Sequence, residues 1–514
     1  MGLPMRVFIT AVAGTGMGSL AGLLKELGHD VAGSDVAFHP PMGPALRSWG
    51  VTLLEGFSRE HLLGMAHGGK PPEVVVVGNV CNKDNPEAIA AEELGIPRIH
   101  LADALQRFAL PHTSPLVVSG THGKTTTTGL CAHLLQATGK DPGYLIGGIP
   151  ESVGRSFHPA GRRKLVGSAG QLSQRATPFV IEGDEYDTAF WEKTAKFLHY
   201  RAETAILTSI EHDHIDIYPT AQSYEAAFER FVAQLPKNGL LVAFAGDPKV
   251  AALAKGAPCE VAFYGLQDDA AAGLPLHYMA APVLHNDRGT SFDFYVGGVL
   301  AGRYLCPLLG DHNLRNCLAA LAVCAQGYGV PLAELKQPLA AFRGIKRRQQ
   351  LLGRPGGVAV YDDFAHHPTA VRETLRGLRQ AHPAGRLIVI FEPRSATACR
   401  NMHQTEYAAA FDAATDVLLA PVGRKNLPAD EQLDVLLLAR TIASAPRKTS
   451  HHAPTPQAPR AVAKSSVDEL IDEAMQLARP GDTIAILSNG AFDGIHGKLV
   501  EALSASPTLT GEST

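Results

Sequence analysis

A chain of 514 residues, 45% hydrophobic and 19% charged, has the length of about three domains of roughly 150 residues and too much apolar content for bulk disorder. Its 46 basic and 50 acidic side chains leave a formal charge of −4, which gives no polyelectrolyte signature for nucleic acid or an anionic membrane. Seven scattered cysteines (81, 131, 259, 306, 317, 324 and 399) form no C-x-x-C pair, so reduced thiols in a cytoplasmic protein are expected rather than a disulfide frame or a zinc site.

The first predicted elements alternate strand and helix. Arg6–Val12 is β-prone, Met17–Leu27 has helical spacing, Asp30–Gly33 resumes a strand, and Val74–Val77 reads as a buried strand. Val7 to Leu24 carries no charge and is long enough to span a bilayer. Its four glycines favour a strand–turn–helix instead, and Arg6 at the sixth position argues against myristoylation. The turn holds Gly14, Thr15, Gly16, Met17 and Gly18, with Ser19 where a third glycine of G-x-G-x-x-G belongs. Asp35 follows the second strand, where a dinucleotide-binding domain carries its ribose acid. These residues are candidates for a phosphate-bearing ligand, and a nicotinamide-dependent oxidoreductase stays open. Pro111–Pro115 reads as a linker.

A second α/β unit opens with Leu116-Val117-Val118, followed by Gly120-Thr-His-Gly-Lys-Thr-Thr126 and a helical Thr127–Thr138. Such a loop turns backbone N–H groups toward phosphates at the positive end of a helix. Lys124 is expected to reach the β- and γ-phosphates and the Thr125 hydroxyl to ligate Mg²⁺. Val118 stands where the full motif has glycine. Strands are predicted near Phe179–Ile181, Ala205–Leu207 and Leu240–Phe244. Glu182, read as the first residue after its strand, is preferred over Asp184, Glu185 and Asp187 as the Mg²⁺ anchor. Thr208–Asp216 follows the next strand and carries His214; His212, Asp213, His214 and Asp216 also suggest zinc, but the neighbouring loop favours Mg²⁺. Cys259–Leu305 is expected to form a small antiparallel addition, and Leu314–Tyr328 a helix. A third unit starts near Gly344–Arg348, with strands at Val358–Tyr361, Leu387–Phe391, Val417–Ala420 and Thr483–Leu487. Val153–Pro178 and Ser444–Arg460, the latter with four prolines and His451-His452, read as surface insertions.

Together these motifs resemble the Mur ligase family across the whole chain. Gly120–Thr126 matches its G-T-x-G-K-T loop, Gly310–Asn316 its H-N-x-x-N element, Arg348 its arginine near the start of the third domain, and Asp362-Asp-Phe-Ala-His-His-Pro368 its D-D-x-x-H-H-P element. The resemblance implies an α/β fold of three domains: a Rossmann-like UDP-sugar domain (1–114), a P-loop ATP domain (115–344) and a Rossmann-like peptide domain (345–514). It implies ATP and Mg²⁺, with catalytic roles for Lys124, Glu182, His214 and Arg348. Nucleotide contacts fall to Gly120, Thr121, His122, Gly123, Lys124, Thr125, Thr126, Asn313, Asn316, Arg348 and Asp363. The metal falls to Thr125, Glu182 and His214, and the UDP group to Gly14, Thr15, Gly16, Met17, Gly18 and Asp35. Arg394, Ser488 and Asn489 are candidates for the peptide. His366-His367 is assigned to ATP contact or domain packing.

Phe38–Met42, Asp184–Phe190, Lys196–Tyr200, Glu392–Ser395 and Ser488–His496 look like the branch of the family that joins UDP-N-acetylmuramate to the murein tripeptide L-Ala-γ-D-Glu-meso-diaminopimelate through an acyl phosphate, in peptidoglycan recycling. A branch using free L-alanine is the alternative; it typically has serine where Tyr186 stands. Glu229 falls near a position that several family members fill with a carbamylated lysine, so that modification is not expected. Neither nucleic acid nor membrane is an expected partner.

Overall fold

The computed structural model describes residues 3–39, 42–64, 67–161, 176–215, 217–270, 273–423, 427–444 and 458–506. It is a mixed α/β protein of three domains, each built on its own largely parallel sheet. In the first, β1 (Arg6–Thr10), β2 (Asp30–Asp35), β3 (Thr52–Glu55), β4 (Val74–Val77) and β5 (Arg98–Ile99) run parallel in the order β3-β2-β1-β4-β5. All four valines of β4 are fully buried, as expected of a strand covered on both faces. The uncharged stretch divides into β1 and the helix Thr15–Glu26. No helix among the described residues is long and apolar enough to cross a membrane.

The central sheet contains β6 (Thr113–Ser119), β7 (Gly143–Leu145), β8 (Phe157–His158) and β9 (Thr177–Gly183). A separate hairpin pairs β10 (Asp187–Ala189) with β11 (Glu192–Ala195). The sheet continues through β12 (Thr204–Leu207), β13 (Leu240–Phe244), β14 (Glu260–Leu266), β15 (Tyr278–Asn286), β16 (Gly289–Val296) and β17 (Val299–Cys306). The order is β17-β16-β15-β14-β13-β12-β6-β9-β7-β8. Two expectations are corrected here. The linker read at Pro111–Pro115 already belongs to β6 from Thr113 onward. Pro115 is tolerated because at that position only β9 is in register, while the β12 pairing begins at Leu116. The Cys259–Leu305 region is not a separate addition either. β14 pairs parallel to β13 and carries the antiparallel β15–β17 meander as an extension of the main sheet. The helix expected at Leu314–Tyr328 runs over Asp311–Ala322 and passes into a wider turn at Val323–Gly327.

In the third domain, β18 (Gln350–Gly353), β19 (Ala359–Asp363), β20 (Leu387–Phe391), β21 (Asp416–Leu419), β22 (Arg460–Ala463) and β23 (Thr483–Leu487) lie in the order β18-β19-β23-β20-β21-β22. Only the edge strand β18 is antiparallel.

Much of each insertion, including His451-His452, lies outside the described residues, as do Pro40 and Pro41. Past an exposed turn at Val153 and Gly154, the described part of the first insertion is not a surface loop. Phe157 of β8 is buried and meets Trp49 edge-on at 4.8 Å between ring centroids. Gly22 lets this contact form, since a Cβ there would fall on the Phe157 ring and 2.9 Å from Trp49. Gly22→Ala is therefore expected to lower stability by about 1–3 kcal/mol in urea denaturation, with recovery when Phe157→Leu is added. An unchanged midpoint would show that the two domains do not pack through Phe157.

Candidate functional site

The central strand β6 ends at Ser119, and its two neighbours, β9 and β12, end at Gly183 and Leu207 on the same sheet edge. Carboxyl ends of parallel strands converge on a crevice. This topology gathers the loop after β6, the acids of β9 and the Thr208–His214 segment.

Backbone geometry explains the loop's glycines. Gly120 has φ +128°, and a Cβ there would lie 2.8 Å from the Ser209 nitrogen; Gly123 has φ +81° and faces the Asn316 amide. Gly123 opens the helix Lys124–Ala137, whose first turn has neither a side-chain cap nor an acid. Its N–H groups are thus presented to an anion. Lys124 is folded back. Its Nζ donates to Gly120 O at 2.7 Å and to the two Glu185 oxygens at 2.8 and 3.1 Å.

Glu182 lies within β9 rather than after it, since the strand runs on to Gly183. Its Oε2 accepts from Thr125 Oγ1 at 3.1 Å and its Oε1 from Gly147 N at 2.5 Å. Burial, reinforced by Asp184, pushes its carboxyl up to about 7. The raised value marks a buried carboxylate that lacks enough positive charge beside it; a small hard cation shared with the threonine hydroxyl would supply that charge and ionise the group, so Thr125 and Glu182 fit Mg²⁺.

The expected third ligand sits differently. His214 Nε2 lies 3.4 Å from Glu185 Oε1 and 3.7 Å from Asp213 Oδ2. Glu185, which the sequence reading ranked below Glu182, is thus the carboxylate beside both Lys124 and His214. Burial alone would raise its pKa, but the Lys124 ammonium and His214 hold it down to about 2. The same carboxylate raises the pKa of Lys124 against desolvation. Among the described residues no metal set forms from His212, Asp213 and His214; from this segment only Glu211 joins such a group, with His122 and His367. His212 Nε2 bonds the Tyr218 carbonyl at 2.8 Å, and Asp216 lies outside the described residues.

The third domain closes over the loop. Arg348 Nη2 donates to Thr125 Oγ1 at 3.2 Å. Thr369 Oγ1 donates to Glu211 Oε1 at 2.8 Å, and Thr397 Oγ1 to Asp213 Oδ1 at 2.9 Å. Glu211 also meets His122 Nε2 at 2.7 Å, and the His122 and His367 rings stand 5.0 Å apart. Burial lowers His367 to about 3, so the ring is neutral at this interface. Asn313 Nδ2 donates to Gln349 Oε1 at 2.9 Å, and Asn316 Nδ2 to Asn313 Oδ1 at 3.2 Å. Asp363 is buried, which raises it to about 6, and accepts from the Gln349 and Ala365 amides at 2.6 and 2.7 Å.

A cavity of about 860 Å³ joins all three domains. Gly14, Thr15, Gly16, Met17 and Asp35 line one end, and His122–Thr126, Glu182, Glu185 and His214 the centre. Asn313, Asn316, Arg348, Asp363, His366 and His367 line the remaining wall. Asp35 also shapes the glycine turn, since its Oδ2 accepts from Ala13 N at 2.8 Å. Ser19, in place of glycine, reaches Ser156 of the central domain at 2.5 Å. Gly18 packs on Met42 and does not line the cavity.

The peptide-side candidates are not brought in. Arg394, Ser488 and Asn489 lie outside the cavity lining. Arg394 Nη1 lies 3.3 Å from Glu392 Oε1, and the Ser488 hydroxyl bonds the other Glu392 oxygen. Glu185 ranks below Glu182 on sequence alone, and Glu211, Thr369 and Thr397 are not marked by it. Glu185 and Glu211 sit inside recognisable motifs, but nothing local distinguishes them from their acidic neighbours.

Comparison with known proteins agrees along the chain. Residues 8–113 match the Mur ligase family catalytic domain, residues 118–324 the Mur ligase middle domain, and residues 347–490 the Mur ligase glutamate ligase domain. The chain is 34% identical to the UDP-N-acetylmuramate–L-alanyl-γ-D-glutamyl-meso-2,6-diaminoheptandioate ligase of Escherichia coli (strain K12), covering 97% of this chain and 98% of the relative. It is 32% identical to a UDP-N-acetylmuramate–L-alanine ligase of Roseiflexus sp. (strain RS-1), covering 95% and 97%. The crystal structure of a murein peptide ligase from Psychrobacter arcticus 273-4 superposes with a TM-score of 0.69 at 32% identity, over 98% of this chain and 99% of that one.

Proposed function

Because the chain belongs to the Mur ligase family of ATP-dependent, amide-bond-forming ligases, we propose that it joins UDP-N-acetylmuramate to the free amine of L-Ala-γ-D-Glu-meso-diaminopimelate, reusing a released cell-wall peptide. The observation that carries this reading is the single cavity in which the glycine turn of the first domain, the Lys124 loop and the third domain meet.

A carboxylate is a poor electrophile and needs activation. An oxygen of the lactyl carboxylate bonds to the γ-phosphorus of ATP as ADP leaves, giving an acyl phosphate. The acceptor amine then bonds to the acyl carbon as phosphate leaves and the amine loses a proton. Gly14–Met17, at the uncapped start of the helix Thr15–Glu26, offers N–H groups to the UDP diphosphate. The first turn of Lys124–Ala137 does the same for ATP, and Lys124 leaves Glu185 to meet the phosphates. Thr125 and Glu182, with His214 as the third candidate, would hold Mg²⁺, and the ion would supply charge neutralisation on the phosphoryl oxygens. Arg348, bonded to Thr125, ties the third domain to this centre, so closure excludes water from the reactive acyl group.

Two other readings are separable. Free L-alanine as acceptor is favoured by the Roseiflexus relative. Nicotinamide chemistry on the first domain leaves Lys124, Glu182 and Arg348 without a role. Sustained ADP production over many turnovers is expected only when UDP-N-acetylmuramate and an amine acceptor are both present. NAD(H) binding with no such release would overturn the ligase reading.

A further inference from the structure

Taking the nucleotide reading of the central loop as its basis, we propose that Glu185 is a positioning residue that parks the Lys124 ammonium away from the phosphate site until nucleotide arrives, then keeps His214 in place. In the structure Lys124 Nζ has no donor to spare. Its contacts are Gly120 O at 2.7 Å, Thr121 O at 3.3 Å and both Glu185 oxygens. An ammonium has three donors, so a phosphate can be met only when a present contact is given up, and the anionic phosphate replaces the anionic carboxylate.

Glu185 cannot follow the lysine. Its carboxylate is 1% exposed, Tyr224 Oη donates to its Oε1 at 3.4 Å, and Tyr218 Oη donates to its backbone carbonyl at 2.7 Å. Both tyrosines are buried, and Tyr224 belongs to the helix Ala221–Ala233. The same tyrosine hydroxyl stands 3.0 Å from Thr121 Oγ1, so the carboxylate is tied to the loop it regulates. The lysine has a flexible stem and is the part that moves. Once it leaves, the buried Glu185 carboxylate retains His214 Nε2 at 3.4 Å as its neighbour. Leaving a buried carboxylate without any partner is costly, so departure of Lys124 strengthens the hold of Glu185 on His214. Nucleotide binding at Lys124 and the placement of His214 are thereby coupled through one carboxylate.

Affinity for a non-hydrolysable ATP analogue and turnover separate this role from a structural one. In Glu185→Gln, Lys124 is released beforehand, so the analogue is expected to bind about tenfold more tightly, as when a competing state populated about nine parts in ten is removed. Turnover is expected to fall, because His214 loses its anchor; a fold defect would weaken both. Simple loss of negative charge would tighten binding with or without the lysine. The comparison is therefore repeated in Lys124→Met, where Glu185→Gln is expected to leave analogue affinity unchanged. Equal tightening in both backgrounds, or weakened binding in Glu185→Gln, would overturn the parking role. Failure of the wild-type chain to bind the analogue at all would instead overturn the nucleotide reading beneath it.

Discussion

Lys124→Ala is expected to lower the ligation rate by about 10³-fold or more, the scale of losing a preorganised cationic donor at a transferring phosphoryl group, while the circular dichroism of the chain stays native. The structure adds a cost in stability that the loop motif alone does not suggest. Lys124, 11% exposed, neutralises Glu185, which is buried. Glu185 is held down to about 2, well below its ordinary value. A depressed carboxylate contributes stability that is present above the unfolded pKa and lost as pH falls through about 2. Removing the lysine raises the folded pKa, so the contribution at neutral pH shrinks. Because His214 remains beside the carboxylate, the loss should be below the full cost of about 3–5 kcal/mol for breaking a buried pair. Lys124→Ala/Glu185→Gln is expected to recover the melting temperature of the wild type but not its activity. A single variant with wild-type turnover would remove Lys124 from the mechanism. A double variant that melts no higher than Lys124→Ala would remove the stranded carboxylate as the source of the stability loss.

Glu182 is expected to govern the pH dependence of metal binding. Burial raises its carboxyl to about 7, so near neutrality the metal-free protein carries a proton there that a cation must displace. Raised means protonated at lower pH. Mg²⁺ affinity in the presence of nucleotide should therefore fall as pH drops below about 7, approaching tenfold per unit, and level off above it. Calorimetry in buffers of different ionisation enthalpy should register the released proton. Glu182→Gln is expected to weaken Mg²⁺ by at least about 10–100-fold and to abolish the pH dependence. A wild-type affinity flat between pH about 6 and 7 would show that Glu182 binds the metal without giving up a proton, contrary to its burial.

Much of this architecture is written locally. Val74–Val77 announces a doubly covered strand, and the Gly120–Thr126 loop announces a phosphate site because only glycine accepts the backbone at Gly120 and Gly123. Other features depend on contacts between distant residues. Glu182 and Glu185 stand three residues apart in one acidic run, yet one faces Thr125 and the other Lys124. Strand direction and the folded-back lysine decide this, and spacing does not encode them. Thr369 and Thr397 reach Glu211 and Asp213 across 158 and 184 residues, so no local pattern marks them. Pro115 looked like a linker residue because proline is a breaker in most strands. Its place before the β12 pairing begins makes it harmless. Arg394 and Ser488 lie after β20 and β23, where a parallel sheet carries ligands, but both are held by Glu392 and neither lines the cavity.

The identity of the acceptor is the centre of the account. The decisive measurement is kcat/KM for L-Ala-γ-D-Glu-meso-diaminopimelate against that for free L-alanine, with UDP-N-acetylmuramate, ATP and Mg²⁺ saturating and amide product quantified directly. The tripeptide should be preferred by at least about 10²-fold, the discrimination available when most of the binding contacts belong to the part of the acceptor that alanine lacks. Turnover of L-alanine with none of the tripeptide would contradict the proposal and place the chain with the alanine-adding ligases.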